Sequence, residues 1–259
     1  PAMRAANVSV AMGRRGTDVA RETAELILTD DNFASIVGGV EEGRIAYSNI
    51  RKVIYLLIAT GGAEIVLFVL SMIAGLPPPL FAVQLLWLNL VTNGIQDVAL
   101  AFEPGEGDEL RIAPRPPREP IFNKVMIERC LLSAVIVGGV SFGHFQWFVR
   151  QGWDIDSARN SVLLLLVLFE NIMVGNARSE LRSGLTQNPW RNPLLLGGTV
   201  LAQLIHIGAA FVPGLNDILH LEPVSLIHWA ELLGWALTVF AGMEFYKWLR
   251  RRGLRPSSS

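Results

Sequence analysis

Cysteine is almost missing from this chain: Cys130 is the one cysteine in 259 residues, so no disulfide framework can be built. Its place within an apolar run points to packing. Charge is also scarce. Only 17% of residues are Asp, Glu, Lys or Arg, and they cancel to a net −1, which leaves no basic excess for a nucleic-acid partner. The first residues, PAMRAANVSV, lack a basic stretch followed by an apolar core and so do not read as a secretory signal. They begin with Pro1, in what reads as the middle of a domain. Apolar residues are abundant: they make up 51% of the chain, with a mean hydropathy of +0.39, a balance expected of a polytopic membrane protein.

About 20 apolar residues carry a helix across about 30 Å of hydrocarbon, and runs of that kind predict six spans. They fall at roughly 54–74, 80–102, 129–149, 160–177, 194–212 and 227–248. Lys and Arg divide the connections into two sets. Segments 75–79 and 213–226 have none, and 150–159 has Arg150 and Arg159. The opposite side carries Arg111, Arg115, Arg118, Lys124 and Arg129, then Arg178, Arg182 and Arg191, then Lys247, Arg250, Arg251, Arg252 and Arg255. By the positive-inside rule both chain ends are expected to be cytoplasmic, with the last basic cluster an inside anchor or a site for anionic lipid heads. Six Trp residues, at 147, 153, 190, 229, 235 and 248, fall mostly near span ends, as an aromatic belt requires.

The first fifty residues have another character. NVSVAMG and AELILTDD read as short strands, and GTDVARETA between them reads as a helix opened by Gly16, with Thr17 or Asp18 as N-cap. From Asn32 onward the apolar residues keep helical spacing straight into the first span. The tail RPSSS is low in complexity and is expected to be disordered.

Within the second span, LLWLNLVTNGIQDVALAF places Asn89, Thr92, Asn93, Gln96 and Asp97 at steps of three and four, which on an α-helix gives one polar face directed at protein. Glu64 lies in the first span and Glu170 with Asn171 in the fourth. An acid at mid-bilayer costs about 2.5–3.5 kcal/mol, so three of them without basic partners in these spans require compensation. A cation bound by carboxylate, amide and hydroxyl oxygens would provide it. Hydrogen bonding between helices is the alternative, and it suits Thr60, Gln84 and Asn171. Gly61 and Gly62 either free the backbone before Glu64 or allow close packing. His144 and His206 read as interhelical hydrogen-bonders. Glu231 and Glu244 are expected to snorkel or to pair with Lys247.

These stretches together resemble the C-terminal third of a P-type cation-transporting ATPase of the calcium-pump-like group. RAANVSVAMGRRGTDVARETAELILTDDNFASIVGGVEEGR is similar to the end of that family's phosphorylation domain and the stalk of its fifth membrane helix. LLWLNLVTNGIQDVALAFEP resembles the sixth helix and FENIMVGNARSE the eighth. The resemblance implies a mainly α fold. A six-helix transmembrane bundle, equivalent to the fifth to tenth helices, would follow a partial α/β, HAD-like phosphorylation-domain end. Its domains would be a phosphorylation remnant at 1–40, a stalk at 41–53, a membrane domain at 54–249 and a cytoplasmic tail at 250–259. It also implies a multi-pass protein of the plasma (inner) membrane of a prokaryote, in contact with lipid.

The resemblance further implies cation ligands at Glu64, Asn89, Thr92 and Glu170. Two positions depart from it: calcium pumps have Asn where this chain has Gly61 and Asp where it has Asn93, while an acid stands at Asp97. The resemblance therefore leaves the transported cation open, as Ca2+, another cation or H+. The residue-level reading adds Asn93 and Asp97 to the ligand set. ATP and Mg2+ would serve the complete pump, in actuator, nucleotide-binding and phosphorylation parts that this chain lacks; of the family's hinge motif only Pro1 could remain. No catalytic residue is expected here. A six-helix secondary transporter or channel, and a truncated or separately encoded pump subunit, are the competing readings.

Overall fold

In the computed structural model residues 1–116 and 118–253 are described, and they divide into two compact units. The expected tail, with Arg255, lies outside the described residues.

The first unit comprises residues 1–48 and 105–115. Strand β1 (Val10–Met12) pairs in parallel with β2 (Leu26–Leu28), with Val10 opposite Leu26. Parallel strands need a crossover, and helix α1 (Asp18–Thr23) provides it. Thr17 is its N-cap, accepting from the Ala20 amide at 3.2 Å. After β2 the chain turns at Asp31, whose φ is 55°. The Asp31 carboxylate receives the amides of Arg14 and Arg15 at 2.8 and 2.9 Å and so ties the two loops together. Arg44 donates to the carbonyls of Glu109 and Ile112, which fastens 105–115 to the same unit.

Helix α2 runs unbroken from Ala34 to Ile73 and ends in a Schellman arrangement. Gly75 takes φ 68° and Leu76 donates to the Ser71 carbonyl at 2.9 Å, after which Pro77, Pro78 and Pro79 cannot continue the helix.

The second unit, 49–104 and 116–253, contains the remainder of α2 and the helices that follow it. Helix α3 (Ala82–Trp87) passes through a π-helical segment, Leu88–Asn93, into α4 (Gly94–Ala101). Then come α5 (Lys124–Arg150), α6 (Ile155–Ala177), α7 (Pro193–Ala209), a short helix at Leu215–Leu219, and α8 (Leu226–Gly253). Helix α6 is the core of this unit. Val162 through Phe169 are all at most 3% exposed, as expected of a helix apolar on every side. Helices α5 and α8 pack against it and against each other.

Four helices, α2, α5, α6 and α8, are long and apolar enough to cross a membrane. The other two expected spans come out differently: α7 has 17 residues, and residues 82–101 are divided by the π segment. Between Gly62 of α2 and Ala134 of α5 there is little room, since a Cβ at Gly62 would stand 3.0 Å from the Ala134 Cβ. Gly138 brings the same helices closer: a Cβ there would lie 2.6 Å from the Ala63 carbonyl oxygen. The backbone stays helical through Gly61 and Gly62, so close packing accounts for Gly62, and no unwinding occurs.

Candidate cation site

Glu64 projects from α2 toward the π segment, where its Oε1 accepts from the Asn89 amide at 3.1 Å. Asn89 Oδ1 in turn accepts from the Asn93 amide at 3.2 Å, and the same Asn93 amide reaches Thr60 Oγ1 at 3.4 Å. A chain of polar side chains therefore joins one turn of α2 to the π segment. The π segment changes the expected ladder. Its wide turn, marked by the Gly94 amide donating back to the Asn89 carbonyl, places Thr92 and Asn93 inside while Asn89 is exposed. The expected α-helical face directed wholly at protein is thus corrected at Asn89: five-residue hydrogen bonding turns it outward relative to α-helical spacing.

Several oxygens at this place are buried without a hydrogen-bond partner: Thr92 Oγ1, Asn93 Oδ1, Gln96 Oε1, Asp97 Oδ1 and both carboxylate oxygens of Glu170. Buried polar atoms normally find partners, and these six oxygens find none within the chain. Glu170, 2% exposed on α6, lies near enough to Glu64, Asp97 and Asn93 to interact with each. Asp97 stands on α4, half-buried. Among the described residues, no three His, Cys, Asp or Glu side chains come close enough to hold a metal by themselves. The polar oxygens of this region are of mixed kinds, carboxylate, amide and hydroxyl, and stand on α2, the π segment, α4 and α6.

Adjacent polar groups are committed elsewhere. Gln96 donates to Asn171 Oδ1 and Asn171 to Gln203 Oε1, both at 2.6 Å, an amide chain across α4, α6 and α7. Gln84 donates to the Leu219 carbonyl at 2.9 Å, and Thr60 donates to carbonyls of its own helix. His206 accepts from Trp87 Nε1 at 3.3 Å. Glu244 accepts from the Gly184 amide at 2.8 Å and from Asn176 at 3.2 Å, with Lys247 at 4.0 Å. Glu231 faces His228 rather than Lys247.

Sequence reasoning missed a buried ion pair next to this region. Arg178, at the end of α6, donates to Glu103 Oε1 at 2.8 Å, and Asn192 donates to Glu103 Oε2 at 2.8 Å. Asn49 of α2 donates to the carbonyls of Ala101 and Glu103. The sequence signal was present in the lone acid of FEP, just after the second span, and in the lone Arg closing the fourth, but their 75-residue separation gives no hint that they meet.

Residues 77–249 match the family model for the cation transporting ATPase C-terminus. The chain is 34% identical over 97% of its length to an endoplasmic reticulum calcium ATPase of Aspergillus fumigatus. It is 35% identical to a cation-transporting ATPase of Synechocystis and 34% identical to a calcium-transporting ATPase of Bacillus subtilis, each over 90% of its length. It spans only 26–29% of the length of these curated relatives. An integral membrane chain that matches this model over most of its length, and these relatives over nearly all of it, belongs to the P-type cation-transporting ATPase family, whose C-terminal part it represents.

Proposed function

We propose that this chain is the ion-binding membrane part of an ATP-driven cation pump, in which Glu64, Asn89, Thr92, Asn93, Asp97 and Glu170 hold the transported cation. The observation that carries the reading is the cluster of buried, unpartnered oxygens at Thr92, Asn93, Asp97 and Glu170 beside the Glu64–Asn89–Asn93 chain. Hard cations take oxygen ligands of these mixed kinds, and a cation would relieve both the unmet hydrogen-bonding capacity and the like charges. Protons would compensate the acids when the cation leaves.

The sequence has no Asp-Lys-Thr-Gly motif, so its residues do not fit ATP or Mg2+; those groups belong to other parts of the complete protein, and no step through them is assigned to these residues. Coupling would run along α2, a single helix about 60 Å long at 1.5 Å per residue. Counting α7 and the 82–101 segment as spans gives six crossings with both ends cytoplasmic, a reading supported by the distribution of Lys and Arg. The parallel β1–α1–β2 unit supports a phosphorylation-domain remnant at the start. The relatives include both endoplasmic reticulum and bacterial pumps, so likeness alone assigns no particular membrane. A channel or secondary transporter is disfavoured because the relatives are ATPases.

The test is Glu64→Gln and Asp97→Asn, made singly in the complete pump. Losing a charged partner is worth about 1.5–3 kcal/mol, so apparent cation affinity should fall about tenfold or more in ion-stimulated ATPase and uptake assays. Unchanged stimulation in both variants would remove these residues from the site.

A further inference from the structure

Away from the cation site, three helices of the second unit meet in a line of hydrogen bonds. His144 of α5 shares its Nε2 with Ser161 Oγ of α6 at 2.8 Å, and Ser161 Oγ lies 2.7 Å from His228 Nε2 of α8. His228 Nδ1 is 3.3 Å from Glu231 Oε2. With neutral rings, the direction of every bond follows from its end. An ionised carboxylate only accepts, so His228 Nδ1 donates to it and His228 Nε2 is an acceptor. Ser161 must then donate to His228, and its oxygen accepts from the Nε2–H of His144. That leaves Nδ1 of His144 with a bare lone pair.

The two residues that end this line, His144 and Glu231, both line one cavity of about 530 Å³, bounded also by Gly143, Trp147, Phe148 and Trp235. Its polar groups are therefore a carboxylate and an imidazole acceptor, while its walls are aromatic. Trp147 and Trp235 are each about half exposed, so the cavity opens outward. Acceptors and negative charge among aromatic faces select an organic cation, because an ammonium gains from a carboxylate and from indole faces together. We propose that this cavity binds a primary or quaternary ammonium group, as carried by an aminophospholipid head or by a free amine. The site stands independently of the pump reading.

The experiment uses the complete protein in detergent, with phosphatidylethanolamine or phosphatidylglycerol added and adducts counted by native mass spectrometry; tryptophan fluorescence is followed in parallel during titration with ethanolamine. Two variants are compared with the parent. Glu231→Gln removes the charge, and Gly143→Leu adds bulk at the cavity wall, where a Cβ meets nothing within 4 Å. About tenfold preference for phosphatidylethanolamine, lost in either variant, supports a lipid head as ligand. A fluorescence response to ethanolamine that both variants abolish, without lipid preference, supports the free amine. Equal retention of the two lipids with no ethanolamine response overturns the site, as does binding that survives Gly143→Leu. If Glu231→Gln fails to fold, Gly143→Leu decides the matter alone.

Discussion

Glu103 and Arg178 are the residues whose replacement has the plainest energetic consequence. Their side chains are 3% and 6% exposed; Asn192 donates to Glu103 and Arg178 Nη1 donates to the Asn188 carbonyl, while Arg178 Nη2 is buried without a hydrogen-bond partner. Removing one member of such a pair strands the other charge, at a cost of about 3–5 kcal/mol. Arg178→Met is therefore expected to lower thermal stability in detergent by about that amount, and the double variant Glu103→Leu with Arg178→Met to recover part of it. Other buried cations are held differently: Arg129 lies 4.0 Å over the Tyr55 ring, and Lys247 donates to the carbonyls of Asn176 and Arg182. At the edge of the helices, hydrogen bonds from Arg250 and then Tyr246 hold the Glu128 carboxyl below its ordinary range.

Helix packing provides the next test, because two neighbouring glycines of α5 have opposite surroundings. A Cβ at Gly138 would press on the Ala63 carbonyl and on Val66, both at 2.6 Å, whereas one at Gly139 would meet nothing within 4 Å. Gly138→Ala should force α2 and α5 apart and destabilise by about 1–3 kcal/mol, while Gly139→Ala should be neutral or slightly stabilising; unfolding midpoints of the two variants check the contrast. At this scale much was legible in the sequence. Apolar length alone identified the regions of α2, α5, α6 and α8, and Thr17 and the GLPPP turn fixed two boundaries. The π segment was not legible. Nothing in LNLVTN separates five-residue from four-residue hydrogen bonding, since its residue types suit either. Glu64 and the amides were conspicuous as polar residues in apolar runs, but the exposure of Asn89 was not.

At the scale of the whole molecule, the unequal placement of Lys and Arg gives the proposed topology a direct measurement. Cys130 is buried, so single introduced thiols can be followed against a quiet background. In sealed cells Asp217→Cys should react with an impermeant maleimide, and Asp108→Cys only after permeabilisation. The buried ion pair bears on how such a chain comes together. Glu103 and Arg178 stand at the ends of their helical segments, where each can remain hydrated while the greasy part of its helix enters the bilayer. The two charges are 75 residues apart in sequence, so they can meet only after the helix that ends at Arg178 has been made. Biogenesis would then have a natural checkpoint: a chain halted before Arg178 emerges keeps an acid without its counterion, and that unfinished state is the one a membrane quality-control protease can recognise.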